Sequence, residues 1–364
     1  MTEILNLTLD ELTHWLCRDM GEAPFRARQL WKWLWQRRAR SFAVMSDLPL
    51  ALRSRLEENA RIVWPAVEST RVSSDGTVKF LLRLSDGELV ETVLIASESR
   101  EGKGRLTQCL SSQVGCPMGC TFCGTGAMGF TRNMSMGEIL GQVLVAQDYL
   151  GDAQGGTRLR NLVFMGMGEP LLNLAEVMKS LKTLNSEPGL SFSPRRITVS
   201  TCGIEKGLRE LGESGLAYLA VSLHAPSQEL RARLMPRATL WPLPALLDSL
   251  RAYPLKARER LTFEYLLLGG INDSLEHAVA LAGIMAKVKG KLNLIAYNPV
   301  NGTPYRAPTP EALQAFENHL RAKHITAIVR KSRGRDIEAA CGQLRAVVSP
   351  ARGSSMATLT TEAS

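Results

Sequence analysis

Strands and helices alternate regularly between about residue 105 and residue 330 of this chain. Strands that alternate with amphipathic helices pair in parallel through right-handed crossovers, and about six such units build a partial α/β barrel. The predicted fold class is therefore α/β, with a partial barrel of the (βα)6 type. The predicted barrel strands are RLTQCLSS, RNLVFMG, RITVSTC, AYLAVSL, LTFEYLLL, KLNLIAY and ITAIVR.

Glycine and polar residues follow several of these strands. Barrels of this kind bind their ligands at the carboxyl ends of the strands, where the loops of successive units meet. We therefore expect the chemistry of the protein at one end of the barrel. The segments concerned are Gly166–Pro170, Ser200–Gly203, Ser222–His224, Gly269–Asn272 and Tyr297–Pro299.

The pattern differs on either side of the barrel. Thr8 and Glu11 have the spacing of a helix capping box, and Leu12, Trp15 and Leu16 follow at helical intervals. After residue 60, alternating β-branched residues predict strands. The predicted division is a basic helical N-terminal domain (1–60), a strand-rich connector (61–104), a barrel core with a C-terminal segment (105–348) and a disordered tail (349–364).

The charge of the chain points to an anionic partner. Its 44 Lys and Arg against 35 Asp and Glu give a formal net charge of +9, and nucleic acid is the commonest partner of such a chain. The tryptophans of the second predicted helix, Trp31, Trp33 and Trp35, are expected to pack in the core rather than to stack on bases. The basic residues form two groups, Arg26, Arg28, Lys32, Arg37, Arg38 and Arg40 near the N-terminus and Arg330, Lys331, Arg333 and Arg335 near the C-terminus.

Cysteine usage and the N-terminal sequence both bear on the compartment. Seven cysteines in 364 residues, three of them within eight residues, do not resemble a secreted disulfide framework. No apolar run reaches the length that a membrane helix needs, and the N-terminus MTEILNLTLDEL is unlike an export signal. We expect a cytoplasmic protein without a membrane partner.

The loop after the first barrel strand carries the main chemical signal. Cys116, Cys120 and Cys123 form a CxxxCxxC motif within GCPMGCTFC. Structural zinc sites use four ligands, usually as two pairs, and the chain has no second pair of this kind. Three thiols and an open fourth position suit a 4Fe–4S cluster that leaves one iron free for a ligand. A zinc site stays as the weaker alternative.

A CxxxCxxC loop with an aromatic residue before its last cysteine resembles the radical S-adenosylmethionine superfamily, over about residues 105 to 330. The strings SSQVGC, GMGEPLLN, SLHAP, YNP and RGRDIEAACGQL resemble more closely the RlmN family, over almost the whole chain. This resemblance implies a radical S-adenosylmethionine enzyme that methylates carbon 2 of adenine in 23S ribosomal RNA and in tRNA, 3′ of the anticodon. It also implies a 4Fe–4S cluster and two S-adenosylmethionine molecules per methyl group.

The same resemblance implies a role for individual residues. Cys341 is expected to carry the methyl group, Cys109 to resolve an RNA adduct through a transient disulfide with Cys341, and Glu91 to accept a proton. The disulfide needs an external thiol reductant, and the cluster needs an external, flavodoxin-like electron donor. We expect a monomer. The implied contacts to S-adenosylmethionine are Gly168, Glu169, Ser200, Ser222, Leu223, His224 and Asn298.

Each implied catalytic residue has a plainer interpretation. Cys109 lies in a strand pattern and Cys341 in an apparent helix, where free cysteines are often small buried apolar residues. Glu91 alone reads as an exposed strand acid, His224 as a satisfied polar residue, and Cys202 as structural.

Two departures from the family pattern are residues 235–241 (MPRATLW) and a lengthened loop at residues 96–104. The alternative functions are a related methyltransferase acting on adenine carbon 8 and a non-catalytic metal-containing RNA-binding protein.

Overall fold

The computed structural model of the protein describes residues 1–97, 105–153 and 159–346. The predicted tail, and residues 98–104 of the loop expected to be lengthened, lie outside the described residues. The described strands are β1 (Thr2–Glu3), β2 (Ala60–Arg61), β3 (Ala66–Val72), β4 (Val78–Arg83), β5 (Leu89–Ser97), β6 (Arg105–Cys109), β7 (Gln113–Gly115), β8 (Phe130–Asn133), β9 (Leu159–Phe164), β10 (Ile197–Thr201), β11 (Tyr218–Ser222), β12 (Leu261–Leu267), β13 (Gly290–Ala296) and β14 (Ala327–Arg330).

The helices lie mainly between the barrel strands and in the first sixty residues. The described α-helices are α1 (Leu9–Arg18), α2 (Phe25–Trp35), α3 (Leu50–Asn59), α4 (Gly124–Ala127), α5 (Met136–Ala153), α6 (Leu174–Asn185), α7 (Glu205–Ser214), α8 (Gln228–Leu234), α9 (Leu243–Arg251), α10 (Leu275–Met285) and α11 (Pro310–Ala322). None of the helices in the described ranges is both long and apolar enough to cross a membrane.

The barrel consists of seven strands that pair in parallel in the order β6-β9-β10-β11-β12-β13-β14. These are the seven segments that the alternation pattern predicts. The two end strands of this series do not pair with each other, so the barrel is open. The prediction of a partial α/β barrel is confirmed.

The connector extends the barrel sheet with three antiparallel strands, β3, β4 and β5. β5 pairs with β6 so that Val93 faces Cys109, and β4 pairs with β5 so that Leu81 faces Glu91. Since side chains two residues apart share a face of a sheet, Glu91 and Cys109 lie on the same face. The extension therefore carries Glu91 towards the first barrel strand.

The N-terminal helices pack through buried aromatic residues. The capping box of Thr8 and Glu11 is present at the start of α1. Trp31 and Trp35 of α2 are each 1% exposed and meet edge to face, so the core interpretation is confirmed for both. Trp33 is only partly buried and donates its indole N–H to Asp47. This third side chain packs against the core but stays partly exposed.

Candidate active site

The cysteine loop begins at the end of β7 and runs into α4. Gly115, the last residue of β7, has φ +73°, and a Cβ there would lie 2.1 Å from the carbonyl oxygen of Gly129. Only glycine fits this close approach. The next residue, Cys116, donates its backbone N–H to the same oxygen over 2.6 Å. The short β7–β8 pair thus fixes the direction in which the loop leaves the barrel.

Cys116, Cys120 and Cys123 pack on one side of an apolar group that includes Met118 and Phe122. Burial is the main cause that raises the pKa of the Cys116 and Cys123 thiols, and the neighbouring thiols raise it further. A thiol loses its proton when a metal centre supplies positive charge beside it. The three side chains therefore suit a cationic inorganic group.

The spacing of these thiols bears on which metal centre fits. Across the described residues, no three His, Cys, Asp or Glu side chains are placed to hold a single metal ion. A tetrahedral zinc ion with Zn–S bonds of about 2.3 Å would draw its sulfur ligands to within about 3.8 Å of one another. A 4Fe–4S cluster takes each cysteine on a different iron, so it needs no such close approach. The donor set fits the cluster better than zinc.

Glu169 lies at the end of β9, next to the cysteine loop. Its carboxylate accepts backbone N–H groups of Cys202 over 2.7 Å and Leu171 over 3.0 Å. Burial raises the pKa of Glu169, and these hydrogen bonds act in the opposite direction. Gly168 precedes it with φ +103°. A carboxylate oxygen can accept more than one hydrogen bond, so Glu169 can also receive an ammonium group.

The next strand ends bring two hydroxyl groups together. Ser200 of β10 and Ser222 of β11 lie with their oxygens 3.4 Å apart. Leu223 and His224 follow, and His224 has φ +56°. The His224 Nδ1 accepts the N–H of Leu266 over 3.1 Å. Burial, and then the charge of Arg231, lower the pKa of His224 to about 3, so its ring stays neutral.

Asn298 follows β13 and is 1% exposed. Both polar atoms of its side-chain amide are buried and lack a hydrogen-bond partner among the described residues. Buried amides almost always have partners. Asn298 thus has the property expected of a residue that binds a polar ligand in the barrel.

Glu91 is buried on β5 and pairs with a lysine. Its Oε1 lies 2.9 Å from the Nζ of Lys79, and its Oε2 accepts the backbone N–H of Arg345 over 2.8 Å. A cavity of about 430 Å³ borders Glu91 and is also lined by Lys79, Asn301 and Arg345. The interpretation of Glu91 as an exposed strand acid is wrong, because the extension sheet and the C-terminal segment cover it.

Cys109 and Cys341 lie close enough to interact electrostatically. Cys109 is buried at the end of β6, and burial, followed by Cys341, raises its pKa. The Cys341 side chain is exposed, yet its surroundings and the charge of Glu264 raise its pKa to about 11, while Arg330 lowers it. Cys341 thus lies near Cys109, Glu264 and Arg330.

The segment that carries Cys341 is not the helix that its sequence suggests. After a 3-10 turn at Arg335–Ile337, Glu338 adopts φ +55° and Gly342 φ +84°. The carbonyl oxygen of Gly342 accepts the N–H of Gly124 over 2.8 Å, and that of Leu344 accepts the Thr125 hydroxyl over 2.7 Å. The C-terminal segment therefore lies across α4, directly after the cysteine loop.

Three charged residues near this site are missing from the sequence predictions. Lys79 interrupts an apolar strand, which could have signalled a buried ion pair. Glu264 of β12 accepts an amide hydrogen bond from Asn293 over 2.8 Å. Arg231 of α8 looks like an ordinary helix surface residue, and its sequence context gives no signal that it is buried.

Comparison with known proteins identifies the family. Residues 2–62 match the ribosomal RNA large subunit methyltransferase N-terminal domain, and residues 110–282 match the radical SAM superfamily. The dual-specificity RNA methyltransferase RlmN of Nitratidesulfovibrio vulgaris is 67% identical over 347 residues, which cover 95% of both chains. The chain belongs to the RlmN family. The RlmN of Lawsonia intracellularis is 54% identical over 95% of this chain and 97% of its own.

A solved structure agrees with this RlmN-family membership. A radical SAM methyltransferase from Sphaerobacter thermophilus superposes with a TM-score of 0.88 and 41% identity, over 95% of this chain and 100% of its own. The RlmN-family chain is thus a radical S-adenosylmethionine RNA methyltransferase that uses a 4Fe–4S cluster and S-adenosylmethionine.

Proposed function

We propose that the chain methylates carbon 2 of adenine in 23S ribosomal RNA and in tRNA, at the adenine 3′ of the anticodon. The observation that carries this proposal is the proximity of the Cys341 thiol to Cys109, which shares a face of the sheet with Glu91. Carbon 2 of adenine is electrophilic and has no acidic proton, so a polar methyl transfer lacks a nucleophile there. A carrier thiol, a resolving thiol and a base together allow a radical route that needs no nucleophilic carbon.

The proposed roles follow the positions of these residues. S-adenosylmethionine bound at the cluster supplies both the methyl group and a 5′-deoxyadenosyl radical. Cys341 receives the methyl group, and its exposure allows RNA to reach it. The radical would take a hydrogen atom from this methylthioether, and the resulting carbon radical would bond to carbon 2 of adenine. Glu91 would accept the proton of carbon 2, and the unpaired electron would return to the cluster. The Cys109 thiolate would then attack the Cys341 sulfur and break its bond to the methylene carbon, which would take up a proton to become the methyl group. The resulting disulfide is reduced by an external thiol.

The proposed ligand residues are those that the family resemblance implies. Cys116, Cys120 and Cys123 hold the cluster, and their packing against one apolar group supports a shared inorganic partner. The unpartnered amide of Asn298 supports a role in binding S-adenosylmethionine. The remaining proposed contacts to it are Gly168, Glu169, Ser200, Ser222, Leu223 and His224.

The proposal also covers the roles of the domains, the compartment and the electron donor. The basic N-terminal domain (1–60) binds RNA, the connector (61–104) supplies Glu91, and the core (105–348) holds the cofactors. The cavity of about 430 Å³ beside Glu91 supports entry of the target base from the side of the C-terminal segment. The protein acts in the cytoplasm as a monomer, with a flavodoxin-like one-electron donor.

Single alanine variants separate the two thiol roles. Cys341→Ala should retain its cluster but neither accept a methyl group nor methylate RNA. Cys109→Ala should become methylated at Cys341 and then remain bound to RNA, which appears as a shifted protein band that ribonuclease removes. Cys17→Ala, in α1 and away from the site, is the matched control and should behave like the wild type.

Nucleoside mass spectrometry of the treated RNA identifies the product. The proposal requires 2-methyladenosine in both ribosomal and transfer RNA. Accumulation of 8-methyladenosine, or normal methylation by Cys341→Ala, would contradict it.

A further inference from the structure

Arg231 is a completely buried arginine on α8. One terminal nitrogen, Nη1, donates to the carbonyl oxygens of Ala238 over 2.8 Å and Trp241 over 3.0 Å. The other, Nη2, donates to the carbonyl oxygen of Cys202 over 2.6 Å. These partners are neutral, so they orient the guanidinium group without neutralising its charge.

Arg231 contrasts with the other fully enclosed cation of the described ranges, Lys79. Lys79 has Glu91 as its ion-pair partner at 2.9 Å. No ion pair between Arg231 and a carboxylate occurs in the described part of the chain, and its Nε atom is also without a hydrogen-bond partner there. Burying an unpaired charge is costly, and arginine does not escape this cost by losing its proton. An anion that the protein chain does not supply is therefore expected nearby.

The surroundings of Arg231 indicate where that anion belongs. α8 packs against the cysteine loop, since Thr121 donates its backbone N–H to the carbonyl oxygen of Leu234 over 3.0 Å. Arg231 interacts electrostatically with Cys202 and with Cys120, and Cys202 belongs to the apolar group against which the three loop cysteines pack. The unpaired cation thus lies behind one of the proposed cluster ligands.

We propose that Arg231 is the counter-charge of the iron–sulfur cluster and that it favours the reduced form of the cluster. This inference rests on the proposed ligands Cys116, Cys120 and Cys123. A cationic 4Fe–4S core together with its three thiolates is anionic overall, and accepting one electron from an external one-electron donor adds a further negative charge without a proton or a bond change. A fixed buried cation stabilises the more negative form more than the less negative form. Arg231 acts on the cluster through its charge and takes no part in the reaction itself.

Segment 235–241, where the chain departs from the family pattern, provides two of the three carbonyl oxygens that hold Arg231. The 3-10 turn Pro236–Leu240 folds back over α8 and buries Ala238 completely. The backbone of this segment therefore fixes the cation, whatever side chains the segment carries.

An anaerobic redox titration of the full-length, cluster-loaded protein tests the proposal. The cluster signal is followed by electron paramagnetic resonance with dithionite as reductant, in the absence of RNA and S-adenosylmethionine. Arg231→Gln keeps hydrogen-bond donors but removes the charge, so the ratio of reduced to oxidised cluster at a fixed poise should fall at least tenfold, which is a 59 mV shift for one electron. Arg231→Lys keeps the charge and should stay within threefold of the wild type.

Arg233→Gln is the matched control, because Arg233 lies on the same helix and is exposed. Its ratio should equal that of the wild type. A ratio for Arg231→Gln within threefold of the wild type, with iron content unchanged, would overturn the proposal. If Arg231→Gln does not fold, Arg231→Lys decides, because a tenfold fall with the charge retained would also overturn it.

An error in the proposed cluster ligands or in the proposed methylated position would appear in a different experiment. Retention of full iron in a Cys120→Ala variant would contradict the cluster ligands and not the effect of Arg231. The absence of RNA from the titration keeps it independent of the methylated position.

Discussion

Replacement of Lys79 by methionine tests how strongly the connector sheet depends on its buried ion pair. The Lys79 Nζ lies 2.9 Å from Glu91 Oε1, with side chains 7% and 5% exposed. Lys79 also donates to the carbonyl oxygen of Glu338 over 3.1 Å, which ties the sheet to the segment that carries Cys341. Methionine matches the length of lysine but leaves the Glu91 carboxylate buried without a counter-charge.

The expected cost follows from the burial of the pair. Removing one partner of a buried ion pair typically costs about 3–5 kcal/mol, because the other charge stays desolvated and unpaired. Lys79→Met should therefore lower the free energy of unfolding by about 4 kcal/mol. Arg83 provides the control, since it lies on the same strand and pairs with Glu68 at the same 2.9 Å, with side chains 41% and 33% exposed. Arg83→Met should cause no measurable change, because water screens exposed pairs.

Urea unfolding of the anaerobic, cluster-loaded protein, followed by circular dichroism, measures both variants. Glu91→Gln and the double variant Lys79→Met with Glu91→Gln complete a double-mutant cycle, because glutamine still offers an oxygen to the Arg345 N–H. The double variant should be more stable than Lys79→Met alone. A Lys79→Met protein that unfolds within about 1 kcal/mol of the wild type, a result expected only for an exposed pair, would refute this reasoning.

Alanine at any one of the three cysteines of the CxxxCxxC loop should abolish iron and sulfide binding, measured by metal and sulfide analysis, because none of the three protein ligands can be spared. Joint replacement of Arg26, Arg28 and Lys32 by glutamine should weaken RNA binding and flatten its salt dependence, measured by filter binding across salt concentrations, since fewer counterions are released. Gly115→Ala should lower the thermal midpoint, because its Cβ would lie 2.1 Å from a carbonyl oxygen. In the metal-free protein, Cys341 should reach half-maximal alkylation rate near pH 11, measured by peptide mass spectrometry, because its pKa is raised to about 11. A midpoint at or below pH 9 would contradict this last expectation.

Local sequence patterns predict most of the architecture. Apolar segments of strand length alternate with amphipathic helices, and each of the seven predicted barrel strands is present. Capping boxes at Thr8 and at Ser135 depend only on residues three apart, so they can be read directly from the sequence. The cysteine loop is equally local, since its three thiols lie within eight residues.

Contacts between distant segments are not visible in such patterns. Glu91 reads as exposed because its burial depends on Lys79 and on the backbone of Arg345, 254 residues away. Cys341 reads as helical because its sequence favours a helix, whereas contacts with α4 hold it in an irregular segment. Arg231 is buried by carbonyl groups of a turn that follows it in the chain, and periodicity on α8 does not reveal this.

The protonation of the Cys341 thiol depends on the charged residues that the fold places around it. A thiol whose pKa is about 11 is almost entirely protonated near neutral pH, so Cys341 is a poor nucleophile in the cofactor-free protein. Glu264 and the burial of the site raise this pKa, and Arg330 acts against them. S-adenosylmethionine carries a sulfonium charge, and a cation beside a thiol favours the thiolate. In the proposed role of Cys341 as methyl carrier, binding of the sulfonium would therefore favour the thiolate that accepts the methyl group.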